Sequence, residues 1–499
     1  MHIVKFKNQI TMIKIVSLKG LAFPRLLITG ILLTLVMLIM SASQMKAQTL
    51  WSLQDCINFA FEHNLDIKKQ VLVVESNKAN LLQTKLNTLP SINAGASTVN
   101  NWGRTIDQYT NEFATNRVRS DNLYIQGNIT LFSGLQKVNM IKRNQLSVKF
   151  SQFSLDDLLD NISLTVAGYY LDILFNREIL MVANEQLAVT EQQVKRMEKL
   201  VEAGTLAKGD LLNIQAQQAR EELQVIESEN RLEISFLTLQ QLIDFPVTED
   251  FDVQVPRLRS VEAPSIDITS DQIYNYAVLN RPEVKLAELT VDIAHKDISI
   301  ARGQQSPVFS LGGSWGSGYS GLNTIGENPA LVTRELGFTE SGELVYTSYL
   351  QDQDFTTKGW GDQLNDNNNR SVGFYLNIPI FTGWQVRNSI TRAKIAEESA
   401  QYDLQYTKNN LRKVIEQAYA DAVAALKRYG SSMKQVEAQS EAFKYAEQKF
   451  DVGLLNSVEY NEIKKELTLA QSDLLQAKYD YIFKTTILSF YMGNPLSIE

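Results

Sequence analysis

Apolar residues return at every seventh position along two long stretches of this chain. Val166, Ile173, Leu180, Leu187, Val194 and Val201 form one series, and Ile415, Ala422, Tyr429, Val436, Phe443 and Phe450 form the other. A strict seven-residue period is the mark of a coiled-coil seam. No proline interrupts the chain between Gly134 and Gly204 or between Gly383 and Gly453. Each stretch therefore predicts one helix of about 70 residues, roughly 100 Å long at ~1.5 Å of rise per residue. Helical patterns of about 35 residues follow each closing glycine, over Asp210 to Asp244 and over Glu459 to Met492. Two more of about that length, Leu53 to Leu89 and Asp271 to Ser306, run up to Pro90 and Pro307.

A second beat follows each of those prolines. In the stretch Leu123 to Leu131, positions 123, 125, 129 and 131 are apolar while 126, 128 and 130 are polar. Val372, Phe374, Leu376, Ile378 and Ile380 alternate in the same way with Ser371, Gly373, Tyr375 and Asn377. Period two over about ten residues predicts a strand with one apolar and one polar face. Ser91 to Trp102 and Val308 to Trp315 repeat the pattern more weakly, and polar loops, Asn101 to Asn122 and Gly316 to Arg370, join each pair.

These elements come in the same order twice. At a shift of 249 residues, Phe132-Ser133-Gly134 falls on Phe381-Thr382-Gly383, Tyr170 on Tyr419, Asp172 on Asp421, Gly204 on Gly453 and Pro246 on Pro495. Nearer the amino terminus the shift is 217, with Ala60 on Ala277 and Ile67 on Val284. The second copy thus carries 32 extra residues between Pro307 and Gly383. An internal duplication of this kind has to be settled before any single motif is read.

The lengths constrain the assembly. Strands of about 9 to 11 residues suit a bilayer. Four of them cannot close a barrel, and open edges do not survive in lipid. Several copies are then required, two giving 8 strands and three giving 12. In each copy two helices of about 35 residues, stacked end to end, match one partner of about 70, which predicts a helical cylinder of uniform wall. Phe245 to Ile268, with Pro246, Pro256 and Pro264, reads as an extended linker strapped around the waist of that cylinder. The expected division is a signal peptide at 1–47, a first repeat at 48–246, a linker at 247–270, a second repeat at 271–493 and a tail at 494–499.

Composition adds the compartment. Residues 1 to 47 hold Lys5, Lys7, Lys14, Lys19, Arg25 and Lys46 and no acid, with an apolar run from Leu26 to Met40 and small residues at Ser41 to Ser43 and Ala47. That is the layout of a secretory signal, too short for a membrane span. Its removal leaves 42 basic against 56 acidic residues, a net charge of −14, which disfavours a nucleic-acid partner. The single cysteine, Cys56, reads as a small core residue, and His63 and His295 as solvated helix residues without metal spacing. No cofactor is expected. Two sequences invite an enzyme reading: Gly312-Gly313-Ser314-Trp315-Gly316 fits G-x-S-x-G, and Gly316 to Gly321 fits G-x-G-x-x-G. Both motifs need a strand that opens into a helix, and here the chain runs into a long polar loop.

The doubled order of helix, Leu-Pro, strand, loop, strand ending in Phe-Ser-Gly or Phe-Thr-Gly, long helix and glycine tip resembles the TolC-like outer-membrane channels of bacterial efflux and type I secretion. The resemblance covers Leu50 to Gly493. It implies a mixed α/β membrane protein, mainly α, in which antiparallel coiled coils form a periplasmic α-barrel joined to a 12-stranded β-barrel of a homotrimer. Such a duct is open outside and closed at its periplasmic end. It implies three partners besides further copies: a periplasmic adaptor, an inner-membrane pump and outer-membrane lipid. The helix tips, Gly204-Thr205-Leu206 and Gly453-Leu454-Leu455, are implied as the adaptor contacts, and Glu459 and Glu462 as acidic rings at the gate. Glycine at a tip also follows from the turn alone, and Glu459 and Glu462 also suit a helix amino terminus. Leu455 stands where such gates carry an arginine, so Asp210 is left without that partner, and the closed state is held in another way or less firmly. A coiled-coil spacer of the periplasm explains the heptads as well, but not the four amphipathic strands.

Overall fold

The computed structural model describes residues 50–115, 117–205, 207–247, 250–256 and 268–497. The expected signal at 1–47, residues 257–267 of the expected linker and Leu206 lie outside the described residues.

The first copy begins with β1 (Leu50–Trp51), α1 (Leu53–His63) and α2 (Leu65–Leu86). Strand β2 (Ser91–Asn101), a small hairpin of β3 (Thr105–Ile106) and β4 (Phe113–Ala114), and β5 (Val118–Ser133) follow. The chain then enters α3 (Gln136–Glu202), turns, returns as α4 (Lys208–Leu242) and reaches β6 (Asp252–Val253). The second copy runs through α5 (Ser270–Asn280), α6 (Pro282–Gly303), β7 (Val308–Ser320), β8 (Thr324–Phe338), β9 (Leu344–Thr357), α7 (Trp360–Asp366), β10 (Asn369–Asn377), α8 (Gln385–Asp451) and α9 (Ser457–Tyr491). Both long helices have 67 residues and both return helices 35, so the duplication read from the sequence holds to the residue.

Two expectations are corrected. The helix preceding each strand pair is not continuous: it breaks into pieces of 11 and 22 residues, at Asn64 and at Arg281. The Asn64 side chain accepts from the amides of Asp66 and Ile67 and donates to the Leu242 carbonyl at 2.9 Å, so capping and a tertiary contact outweigh continuation. In the second copy Pro282 takes the first position of α6, where its missing N–H is harmless. The stretch 316–370 is also no loop: it finishes β7 and builds the β8–β9 hairpin and α7. The 32 extra residues of the second copy lie mostly in that hairpin.

Burial explains the coiled coils. Val166, Ile173, Ile415 and Ala422 of the heptad series are 0 % exposed. Around the first pair, Cys56, Ile57, Ala60, Tyr170, Leu174, Leu239 and Ile243 form the main core. Ile273, Ala277, Val284, Leu411 and Leu488 form its counterpart in the second copy. Cys56 is sealed there, and burial pushes its thiol up to about 12. Halfway along α3 the chain from β6 crosses the bundle: β1 and β6 pair in parallel, Tyr170 donates to the Trp51 carbonyl at 3.2 Å, and Arg177 pairs with Asp252.

The main sheet is antiparallel in the order β10-β7-β5-β2, so both copies contribute two strands each and β10 and β2 are unpaired edges. Register separates its faces, because paired residues share a side. One face carries Ser91, Asn93, Asn122, Gln126, Asn128, Ser310, Ser314, Ser371 and Tyr375; the other carries Ile92, Leu123, Ile125, Ile129, Phe309, Leu311, Phe374 and Leu376. The apolar face is bare in the single chain, with Ile92 at 73 % and Val372 at 80 % exposure. Each strand-to-helix swivel uses two consecutive left-handed residues, Gly134-Leu135 and Gly383-Trp384. At Gly134 a side chain is excluded twice, by φ of +62° and by the Gly303 carbonyl, which would sit 2.4 Å from an added Cβ.

Candidate functional site: the helix tips and the seam above them

The two long helices end by the same rule. Gly204 adopts φ of +73° and Gly453 φ of +78°. Thr205 N–H reaches back to the Leu200 carbonyl at 2.9 Å and Gly204 N–H to Val201 at 3.0 Å; Leu454 does the same to Lys449 at 2.8 Å and Gly453 to Phe450 at 3.1 Å. This paired pattern satisfies the last carbonyls of each helix and requires a left-handed residue after the cap. No atom lies within 4 Å of a Cβ added at either glycine, so conformation alone selects glycine. Leu454 is 77 % exposed, and Gly204 is exposed as well.

Just inside the tips the two hairpins lock together. Ile214, 0 % exposed, packs with Val194, Met197, Leu211 and Phe450. Tyr460 stacks on Phe450 with centroids 4.4 Å apart, and Arg196 of α3 pairs with Asp451 at the end of α8. Asp210, in the first turn of α4, accepts a hydrogen bond from the Ser457 hydroxyl at 3.2 Å. A neutral serine thus stands against this acid, and Leu455 takes no part in that contact.

The two acidic gate candidates do different things. Glu459 is the third residue of α9 and closes a capping box: the Asn456 side chain accepts from the Glu459 amide at 2.9 Å, and the Glu459 carboxylate accepts from the Asn456 amide at 3.5 Å. Glu462 is exposed and borders a groove of about 690 Å³ between α4 and α9, floored by α3 and edged by Arg220, Glu221 and Lys465.

Deep in that groove is a feature that the sequence reading missed. Lys464 is 2 % exposed, and its ammonium donates to both Glu221 oxygens at 2.9 and 3.1 Å, to the Gln186 carbonyl at 2.8 Å and to the Thr190 hydroxyl. Burial lowers its pKa, against the pull of Glu221. One charge therefore ties α9 to both α3 and α4. Farther from the tip the same seam continues with Gln186 to Gln471 at 3.2 Å and Lys478 and Tyr479 to Glu178 at 2.9 and 2.6 Å. The seam between the repeats thus carries these polar ties alongside apolar packing, such as Phe175 against Tyr479. The available signal was a lysine on the face set by Tyr460 and Leu467, at spacings of four and three.

The enzyme motifs are placed as well. Gly312 to Gly316 lie inside β7, paired on both sides with β5 and β10, and Gly316 to Gly321 run from that strand into a turn. Neither opens a helix. His63 stacks on Phe59 at 3.9 Å, and His295 contacts Glu397 at 2.8 Å on the surface.

Comparison with known proteins agrees with this architecture. The family model described as Outer membrane efflux protein matches residues 56–243 and 273–494. The outer membrane protein TolC of Vibrio cholerae is 23 % identical over 338 residues, covering 66 % of this chain and 67 % of that protein. The solvent efflux pump outer membrane protein SrpC of Pseudomonas putida is 23 % identical over 466 residues, covering 89 % and 85 %. In the crystal structure of VceC from Vibrio cholerae the fold superposes with a TM-score of 0.69 at 14 % identity, over 89 % of this chain and 97 % of that one.

Proposed function

The chain belongs to the outer membrane efflux protein family, and from that premise we propose that three copies assemble into one duct across the outer membrane and the periplasm. The observation that carries this reading is the four-stranded sheet with an apolar and a polar face and two unpaired edges. Three copies supply 12 strands, each β2 edge meeting a neighbour's β10, which removes every open edge from lipid. In this reading the repeats span 48–246 and 271–493, joined by 247–270, with a signal at 1–47 and a tail at 494–499.

The duct does no chemistry. An inner-membrane pump supplies the energy for efflux or type I secretion, and a periplasmic adaptor engages the tips at Gly204, Thr205, Leu206, Gly453, Leu454 and Leu455. Opening separates the α8–α9 hairpin from α3 and α4 along the seam between the repeats. Asp210 with Ser457, and Lys464 with Glu221, hold that seam in the closed state, while Glu459 and Glu462 supply carboxylate rings that attract cations to the constriction. Site-specific cross-linking tests the docking surface. A photoreactive residue at Leu454 should capture the adaptor in cells, while one at Leu223, 56 % exposed on the shaft of α4, should not. Capture at Leu223 alone would move the docking surface off the tips.

A further inference from the structure

The connection between β2 and β5 does not project outward from the sheet. Asp107 within it is 2 % exposed, yet among the described residues no cation pairs with its carboxylate. One oxygen accepts from the amides of Tyr109 at 3.0 Å and Thr110 at 2.9 Å and from the Thr110 hydroxyl at 3.1 Å; the other accepts from the Ser320 hydroxyl, on β7, at 2.6 Å. Thus anchored, Tyr109 lies across the top of the sheet. Its hydroxyl is 3.4 Å from both the Asp121 carbonyl and Asn122 Oδ1, and a Cβ at Gly318 would fall 1.8 Å from that hydroxyl. The strand leaves a gap that the ring fills.

Register decides which way the ring lies. Asn122 pairs with Gly318 and Ser120 with Ser320, four and six pairs above the Gln126–Ser314 pair, and so on the same face as Ser310, Asn128 and Tyr375. That is the polar face, and this end of the strands is the one remote from the long helices. From above, Gln363 of α7, 0 % exposed, clamps the same rim through the Ser320 amide at 2.8 Å and carbonyl at 3.0 Å. Loops normally run over a surface as solvated connections. This one is fixed inward by a buried carboxylate and by a glycine seat on another strand.

We propose that the segment Trp102 to Thr115 is a lid at the outer mouth, with Tyr109 setting the size of solute that passes. The proposal rests on the barrel reading, in which the polar face lines the lumen. It gives the duct a second constriction, independent of the periplasmic tips, which passes small solutes and retards bulky ones. Tyr124 over Gly95 and Tyr375 over Gly312 continue the aromatic lining below it.

Access from outside tests the lid without involving the tips. Gln126→Cys places a thiol on the polar face about 13 Å below Asn122, at ~3.3 Å per residue, in a chain whose own Cys56 is fully buried. Intact cells are treated with membrane-impermeant maleimides, one small and one carrying a bulky polymer. With the lid in place the small reagent should react and the bulky one lag. Tyr109→Ala, or replacing Trp102–Thr115 by a glycine turn, should speed the bulky reagent by about tenfold while leaving the small one unchanged, as expected of a steric constriction. Equal rates for the bulky reagent in all three chains would overturn the lid. Ser341→Cys, in the exposed β8–β9 turn, reports display at the surface; if the shortened chain is absent there, Tyr109→Ala decides alone. Ile125→Cys, on the opposite face, should stay unlabelled. Labelling of Ile125→Cys like Gln126→Cys would mean that the barrel reading has failed, which is a different result from failure of the lid.

Discussion

Replacing Glu221 by glutamine asks how much the buried Lys464 pair holds. The change keeps shape and one acceptor but removes the one negative charge that, among the described residues, pairs with an ammonium that is 2 % exposed. Gln186 and Thr190 still accept from it, so the hydrogen bonds mostly survive and the uncompensated charge does not. Stranding one member of a buried pair costs about 3–5 kcal/mol. Glu221, at 13 % exposure on the groove wall, can regain water when its partner goes. Lys464→Met should therefore lose less, about 1–2 kcal/mol, and Lys464→Met with Glu221→Leu should return close to the parent, since apolar replacement of a buried pair is often neutral. The assay is urea or thermal denaturation of the extracted protein followed by helical circular dichroism, run as a double-mutant cycle. A Glu221→Gln loss below about 1 kcal/mol, or equal losses for the two single variants, would refute the reasoning. The same variants should raise the open fraction in single-channel recordings, because the pair ties α9 to α3 and α4.

Three further outcomes follow from the geometry. Glu459→Gln with Glu462→Gln should weaken block by divalent cations in single-channel recordings while preserving the capping box; unchanged block would remove both carboxylates from the gate, and Glu459→Ala should lose about 1 kcal/mol of helix stability besides. Gly134→Ala should destabilise far more than Gly383→Ala in the same melt: both have φ near +60°, but only the Gly134 Cβ meets the Gly303 carbonyl, and equal losses would remove that contact from the argument. Burial raises the pKa of Asp157, Asp160 and Glu283 around Arg281, which opposes the rise at all three. Their ionisation works against folding above the raised values, so stability should increase as pH falls through them toward the unfolded range near 4. Arg281→Met should cost about 2–3 kcal/mol at neutral pH and recover part of it near pH 5; a loss independent of pH would contradict that assignment.

Most of the frame was legible because it depends on period and length. Heptads placed both 67-residue helices, alternation placed the four paired strands, and the tip glycines follow from the turn that two antiparallel helices need. What was illegible depends on contacts between distant residues. The break at Asn64 relies on the Leu242 carbonyl, 178 positions away, and the Lys464 pair joins three helices from both copies. The β8–β9 hairpin escaped notice because its exposed residues, with Glu327 opposite Asp354 and Leu331 opposite Leu350, give neither face a consistent polarity. The inward lid was hidden for a related reason, since its polar composition describes a solvated loop equally well. At the tips the serine partner of Asp210 became visible only in the fold.

The most direct measurement is the mass and outline of the detergent-extracted protein, by native mass spectrometry with negative-stain imaging. The account predicts three copies drawn out into one tube well over about 100 Å long, as helices of this length require. A water-soluble monomer would contradict it, because the bare apolar face of the sheet would then have neither lipid nor a neighbour to cover it.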